Sequence, residues 1–325
     1  MSITQLPRLR SGDAAQAPFS DSVPYWVEAI TGEFEIRLAG DDSVLSEAKK
    51  STTGLLARVG LTSTGDWITD DTHCALSIYA DGRRAWHLWQ TLWRAKEAVD
   101  VWVMPIDKPV VKLLVCDMDS TLITTESLDE LAAHVGIGEQ VATITARAMN
   151  GELDFVAALN ERVALLAGLS LQQLNACVQH TELSQGAKTL LDAANTGGTR
   201  TVLISGGFTH FADHVGRLLD VDRVVANTLA LDNNALTGLV SPPIVTQATK
   251  LDVLREERER LNLAPHEVCA IGDGANDMAM LGEAGVGVAY RAKPVVHGAT
   301  PWHLDHAPLD RLTDWLDFGR AAPPQ

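Results

Sequence analysis

The chain has 325 residues, 42 of them Asp or Glu and 26 Lys or Arg, for a formal net charge of −16. That excess argues against nucleic acid or an anionic membrane as the main partner, because a phosphate-coated surface repels it at long range. Hydrophobic residues at 46% and charged residues at 21% are ordinary for a globular protein and exclude disorder over most of the length, and no apolar run approaches the roughly 18 residues of a membrane span.

Residues 1–23 read as a polar, mobile N-terminus. Arg8 and Arg10 are present, but not the apolar stretch of a secretory signal. Residues 24–106 read as a small α+β unit. Phe34–Leu38 alternates like a strand, and Ser43–Val59 has helical periodicity and stops at Gly60. Cys74–Ala80 predicts a strand, Arg83–Ala98 a helix and Val99–Met104 a third strand. Strands separated by amphipathic helices suggest a ferredoxin-like sandwich. Trp86, Trp89 and Trp93 share one face of the second helix. They pack on the sheet or form a subunit interface, which would make the chain a homodimer through this unit.

After the linker Asp107–Pro109, Val110–Cys116 is a mostly apolar run ending in Asp117, the pattern of a strand buried on both faces of a parallel sheet. Thr201–Ile204 leads in the same way into Ser205-Gly206-Gly207, and Glu267–Ile271 into Gly272-Asp273-Gly274, with a shorter run at Val286–Ala289. Helical stretches lie between, so residues 107–325 read as a doubly wound α/β core. Such sheets carry their sites outside the carboxyl ends of the strands, which brings Asp117, Ser205 and Asp273 to one edge. The stretch from Asp117 to Ser205 is too long for one crossover and is helical in pattern, which predicts a helical cap inserted at about 126–184. Around Asp232-Asn233-Asn234, residues 224–240 read as a β-hairpin.

Asp117-Met118-Asp119-Ser120-Thr121 sets two carboxylates one residue apart just past a buried strand. Unpartnered burial of carboxylates is costly, so the pair implies a cation, a shared proton or both; a helix cap and turn would use the same residue types. Gly272-Asp273-Gly274-Ala275-Asn276-Asp277 repeats the pattern past another strand. A hard cation such as Mg²⁺ takes oxygen ligands and keeps positions for a substrate phosphate. Ser205-Gly206-Gly207 opens a helix near Phe208 and offers a hydroxyl and backbone N–H groups to an anion. Lys250 begins a helix to Leu261, where the helix dipole disfavours a cation, which points to a nearby anion. The run Arg255–Arg260 reads as a solvated face. His303-Leu304-Asp305-His306 could suggest a metal but reads as an exposed polar turn. The four cysteines, Cys74, Cys116, Cys177 and Cys269, form no C-x-x-C pair and read as small buried residues of a reducing cytoplasm.

Together, Asp117–Thr121, Ser205–Phe208, Lys250 and Gly272–Asp277 resemble the four motifs of the haloacid dehalogenase-like phosphatases, in order and in spacing. More narrowly, Glu126, the segment Ala148–Phe155, Glu161-Arg162-Val163 and Ala292-Lys293-Pro294 resemble the phosphoserine phosphatases of that family. The resemblance covers about Val110 to the C-terminus. Some bacterial members carry an amino-terminal domain of the ACT or ferredoxin-like kind. The resemblance implies a Rossmann-like core and Mg²⁺-dependent hydrolysis of a small phosphorylated amino acid, O-phospho-L-serine, through an aspartyl phosphate. In those roles Asp117 is the nucleophile and Asp119 the acid and base. Asp117, the main-chain carbonyl of Asp119 and Asp273 hold Mg²⁺, and Asp277 orients metal-bound water. Ser205, the Gly206 N–H and Lys250 hold the phosphoryl group, and Asn276 helps by hydrogen bonding near the phosphate or Lys250. Arg162 and Glu126 hold the serine carboxylate and ammonium, while Met149 and Phe155 exclude water. Other readings are a phosphate-accepting signalling receiver, a non-catalytic amino-acid sensor whose function resides in the N-terminal domain, and a phosphatase or phosphotransferase for another small phosphomonoester.

Overall fold

The computed structural model describes residue 23 and residues 25–69, 72–95, 99–149 and 152–321. The expected N-terminal segment 1–23 lies almost entirely outside them.

The first unit runs β1 (Thr31–Ala39), α1 (Asp42–Val59), β2 (Ile68–Thr69), β3 (His73–Asp81), α2 (Gly82–Ala95) and β4 (Asp100–Pro105). Its sheet is antiparallel in the order β2-β3-β1-β4. Phe34, Ile36 and Leu38 alternate inward on β1 and are fully buried, as a period of two requires. Helix α1 stops where expected: Gly60 takes φ +68°, and its N–H bonds to the Leu56 carbonyl.

In this chain the tryptophan stripe of α2 packs inward. Trp86 and Trp89 are buried, and Trp89 Nε1 donates to the Val101 carbonyl at 2.8 Å. Trp89 also meets Trp302, and Trp93 meets His303, both in the second unit. Trp102 Nε1 donates to the His303 carbonyl at 2.8 Å. The buried Asp100 carboxylate accepts the N–H groups of Asp305, His306 and Ala307 at 2.7, 3.0 and 2.8 Å. A carboxylate answered by three N–H donors meets the cost of its own burial and fixes the seam between the units.

The second unit follows the chain as β5 (Leu113–Cys116), α3 (Ser127–His134), α4 (Gly138–Met149), α5 (Phe155–Ala164), α6 (Leu171–Val178), α7 (Ala187–Gly197), β6 (Arg200–Phe208), α8 (Thr209–Leu219), β7 (Arg223–Asp232), β8 (Ala235–Ser241), α9 (Gln247–Arg260), β9 (Val268–Gly272), α10 (Met278–Glu283), β10 (Val286–Tyr290) and β11 (Trp302–Leu304). The sheet order is β11-β10-β9-β5-β6-β7-β8, parallel throughout except for the β7–β8 hairpin. Strands β5, β9 and β10 are buried at every residue, because helices cover both faces. The hairpin turns at Asn233 and Asn234, with φ +49° and +62°, the left-handed values Asn tolerates.

Helices α3–α6 fall between β5 and β6, where the sequence predicts the cap. Their far end is joined to the hairpin: the Gly168 and Leu171 N–H groups donate to the Leu236 and Asn234 carbonyls, both at 2.8 Å. Two local expectations change. Ser205-Gly206-Gly207 belongs to β6, with a register shift between Ile204 and Phe208, and the helix begins only at Thr209. Helix α9 starts at Gln247, capped by Thr246, so Lys250 stands one turn inside it.

Candidate active site

Three neighbouring strands supply the floor. Strand β5 lies between β6 and β9, so the residues just past their carboxyl ends meet at one edge. Asp117 follows β5, Ser205 lies near the end of β6, and Asp273 follows β9. Helix α9 brings Lys250 to the same place.

Lys250 is 1% exposed, and its Nζ lies 2.7 Å from Asp117 Oδ1 and 2.7 Å from Asp277 Oδ1. Burial alone would lower the lysine, but the two carboxylates more than offset it and hold the ammonium charged. Burial pushes the Asp117 carboxyl well above the usual range, and Asp277 adds to this; Lys250 pulls it back. The Met118 N–H donates to Asp117 Oδ1 at 2.7 Å. Gly274 N–H holds the other Asp277 oxygen at 3.0 Å. Gly272 has no alternative here, since a Cβ would stand 2.5 Å from Asp277 Cγ.

Asp273 is also buried, which raises its carboxyl, while Lys293 at 3.4 Å lowers it. The Thr121 hydroxyl donates to it over 3.4 Å. One oxygen each from Asp117, Asp273 and Asp277 lies within 4.8 Å of the others. Three carboxylates outnumber the Lys250 and Lys293 ammoniums, and this oxygen-rich, net-negative cluster suits a hard divalent cation. The donor set therefore fits Mg²⁺.

Asp119 belongs to a different environment. Its Oδ1 accepts the Ser127 N–H at 2.8 Å, and its Oδ2 accepts the Ser205 hydroxyl at 3.2 Å. Burial and the nearby Glu126 push its carboxyl up to about 6. Ser120 follows with φ +53°, an uncommon value for a residue with a Cβ, and donates through Oγ to Glu126 Oε1 at 3.0 Å. Asp117 and Asp119 thus have separate partners: a buried ammonium for one, hydroxyl and amide donors for the other. Two carboxyls held apart in this way can divide nucleophilic and acid–base work.

Ser205 is fully buried, and its Oγ accepts the Gly207 N–H at 2.8 Å. Gly207 has no room for a side chain, because a Cβ would stand 2.6 Å from Asp119 Oδ2 and 2.7 Å from Ser127 Oγ. The Phe155 ring, from the first turn of α5, lies over Gly206. Asn276 folds its amide oxygen back over Gly274.

Glu126 sits half-exposed before α3, 3.5 Å from Lys293 Nζ. Arg162 is half-buried on α5; burial lowers it, while Asp129 and Glu126 act in the opposite direction. The cap therefore offers a cation on α5 and a carboxylate just before α3, with the Glu126 charge acting on Arg162. Met149 ends α4, and its side chain lies outside the described residues, as do Asn150 and Gly151.

Two contributors were not singled out by sequence, and a third, Lys293, was read only as part of a motif. Asn227 on β7 is fully buried, donates to the Gly206 carbonyl at 2.8 Å and accepts the Val245 N–H at 2.8 Å, so it joins the β6 loop to the approach of α9. Only Asn227 and Leu229 of this strand are buried, so the sequence carried no clear signal for it. Ser127 supplies its N–H to Asp119, and Lys293 joins Glu126 to Asp273.

A parallel sheet with helices on both faces, a helical insertion after the first strand and acids at its carboxyl edge define a Rossmann-like hydrolase core. A family model of the haloacid dehalogenase-like hydrolases matches residues 114–282. The chain belongs to that family. It is 48% identical over 187 residues to a probable phosphoserine phosphatase of Schizosaccharomyces pombe, covering 57% of this chain and 63% of that one. It is 41% identical over 207 residues to the phosphoserine phosphatase of Lactococcus lactis, covering 63% of this chain and 95% of that one. A solved phospho-aspartyl intermediate analogue of a phosphoserine phosphatase superposes with a TM-score of 0.59 at 29% identity, covering 64% of this chain and 99% of that one.

Proposed function

We propose that this chain hydrolyses O-phospho-L-serine to L-serine and phosphate, the last step of serine biosynthesis, in the cytoplasm. The observation that carries the reading is the Asp117–Lys250 pair beside a separately held Asp119, with Glu126 bonded to Ser120 and its charge acting on Arg162.

In this mechanism an Asp117 oxygen attacks phosphorus, and the bond from phosphorus to the serine oxygen breaks. Asp119 gives its proton to that oxygen, because an alkoxide is a poor leaving group. A carboxyl raised to about 6 is better matched to that task near neutrality than an ordinary one. Water then attacks the aspartyl phosphate, Asp119 takes the proton, and Asp117 is regenerated. Lys250, the Ser205 hydroxyl and the Gly206 N–H hold the phosphoryl oxygens, with Asn276 beside them. Asp117, the Asp119 carbonyl and Asp273 would hold Mg²⁺, with Asp277 orienting its water; the ion supplies charge neutralisation that lets an anionic nucleophile approach a phosphate.

Arg162 takes the substrate carboxylate as a two-toothed pair and Glu126 takes the ammonium. Phe155 and Met149 exclude water as the cap, residues 126–184, closes. Residues 24–106 form a ferredoxin or ACT-like domain, a reading supported by the βαββαβ connectivity and the strand order β2-β3-β1-β4. Self-association through that domain would have to use faces other than the buried tryptophans. Among the described residues no helix is long and apolar enough to cross a membrane.

The test is Mg²⁺-dependent phosphate release from phosphoserine, phosphothreonine and other small phosphomonoesters. A clear preference for phosphoserine supports the reading. An equal or higher rate on a substrate lacking the amino-acid head overturns it.

A further inference from the structure

We propose that His297, His303 and Asp305 form a transition-metal site, separate from the acidic centre and lying at the seam between the two units. The sequence alone reads His303–His306 as an exposed turn, but His303 is 1% exposed and lies within β11. The turn Pro294–Gly298 brings His297 to it. One ring nitrogen from each histidine and one Asp305 oxygen all lie within 4.8 Å of one another. A tetrahedral ion with bonds of about 2.0–2.1 Å to nitrogen needs ligand atoms roughly 3.3 Å apart, so closure on an ion requires small side-chain rotations.

The ring geometry favours this closure. The two imidazoles have centroids 4.9 Å apart and planes at 74°, an edge-to-face contact that keeps the rings adjacent. His303 Nε2 lies 2.9 Å from the Thr300 carbonyl. A carbonyl only accepts, so that bond keeps the proton on Nε2, the outer support usual for metal-bound histidine. Trp93, from the first unit, packs on both rings, with centroids at 5.1 Å from His303 and 6.3 Å from His297. Its contact with both rings gives a spectroscopic reporter.

Donor type assigns the metal class. Two imidazoles and a carboxylate suit Zn²⁺, Co²⁺ or Ni²⁺, whereas the all-carboxylate centre suits Mg²⁺. An ion here would pin the segment four residues beyond Lys293 against β11 and Trp93, and so tighten the seam.

The experiment titrates the full-length protein with Zn²⁺ and, separately, Co²⁺, with Mg²⁺ in large excess to occupy the acidic centre. Binding is read by calorimetry, tryptophan fluorescence and the visible absorption of tetrahedral Co²⁺. The expected result is one equivalent bound, with a fluorescence change and a higher Tm. His297→Ala and Asp305→Asn, at half-buried positions, should each weaken binding at least about tenfold. Asp117→Asn and His306→Ala, the latter at an exposed residue, should bind as wild type. Binding that survives His297→Ala, or that is lost with Asp117→Asn, overturns the assignment, as does a chain that takes up no ion.

Discussion

Lys250→Met is the sharpest perturbation of the proposed centre. Methionine is close to lysine in length and removes only the ammonium. What remains is a pair of buried carboxylates, Asp117 and Asp277, each of which had Nζ at 2.7 Å. Removing one partner of a buried ion pair costs about 3–5 kcal/mol. At 1.36 kcal/mol per power of ten, that is a loss of roughly 10² to 5 × 10³ in kcat/KM if the cost falls on the active form. The easiest relief is protonation of Asp117, already pushed up by burial and Asp277, and a protonated Asp117 is no nucleophile. The assay is steady-state phosphate release with saturating Mg²⁺, with circular dichroism and a thermal melt to establish that the variant is folded. A folded Lys250→Met protein within about fivefold of wild type would refute the reasoning, because such a loss is under 1 kcal/mol.

Arg162→Ala should lower kcat/KM for phosphoserine by roughly 30-fold to several thousand-fold, the cost of leaving a desolvated charge unpaired, while an aryl phosphate without the amino-acid head is little affected; equal losses on both would remove Arg162 from the substrate. Gly207→Ala should lower kcat by about 10² with little change in Tm, since the new Cβ displaces the Asp119 carboxylate and an ångström of misplacement is enough for that loss; unchanged kcat would mean that Asp119 can move freely. Glu257, on α9, faces Arg223 at 2.8 Å, Arg260 at 2.6 Å and Arg200 at 3.4 Å. Burial raises its carboxyl, but the hydrogen bonds from Arg223 and Arg260 more than offset this and hold it below the usual range. Its contribution is therefore complete above the unfolded value of about 4.3 and fades as pH falls through the lower folded value. Glu257→Gln should destabilise by about 1.5–3 kcal/mol in urea melts at neutral pH, and the gap to wild type should narrow in acid; a gap that stays constant would contradict the sign.

The strand ends were legible because each couples a buried apolar run to a polar stop. Val110–Cys116 before Asp117 and Glu267–Ile271 before Asp273 needed no long-range information, although the main sheet takes only Leu113–Cys116 of the first and Val110–Val111 pairs instead with Asp317–Phe318. The topological rule for open sheets then placed the strand ends together. The helical character of the stretch between Asp117 and Ser205 was legible from its pattern, and α3–α6 lie there. What sequence could not give was pairing across distant elements. Asn227 looks like one more hairpin residue until β7 is set beside β6. Lys293 reads as part of a short motif until its turn folds back on Asp273. His303 reads as solvent-exposed because a His-Leu-Asp-His string is mostly polar, whereas its burial comes from the first unit packing over β11. The start of α9 was misplaced for a local reason: the Thr246 cap lies behind a loop rich in Pro and Thr, which hides the first turn.

The most direct measurement is acid-quenched single turnover with phosphoserine and Mg²⁺, followed by intact-mass and peptide analysis. The account predicts a transient phosphoryl adduct on the peptide bearing Asp117, absent from an Asp117→Asn protein that is also inactive. Wild-type turnover with no adduct at any time, together with normal turnover by Asp117→Asn, would contradict it.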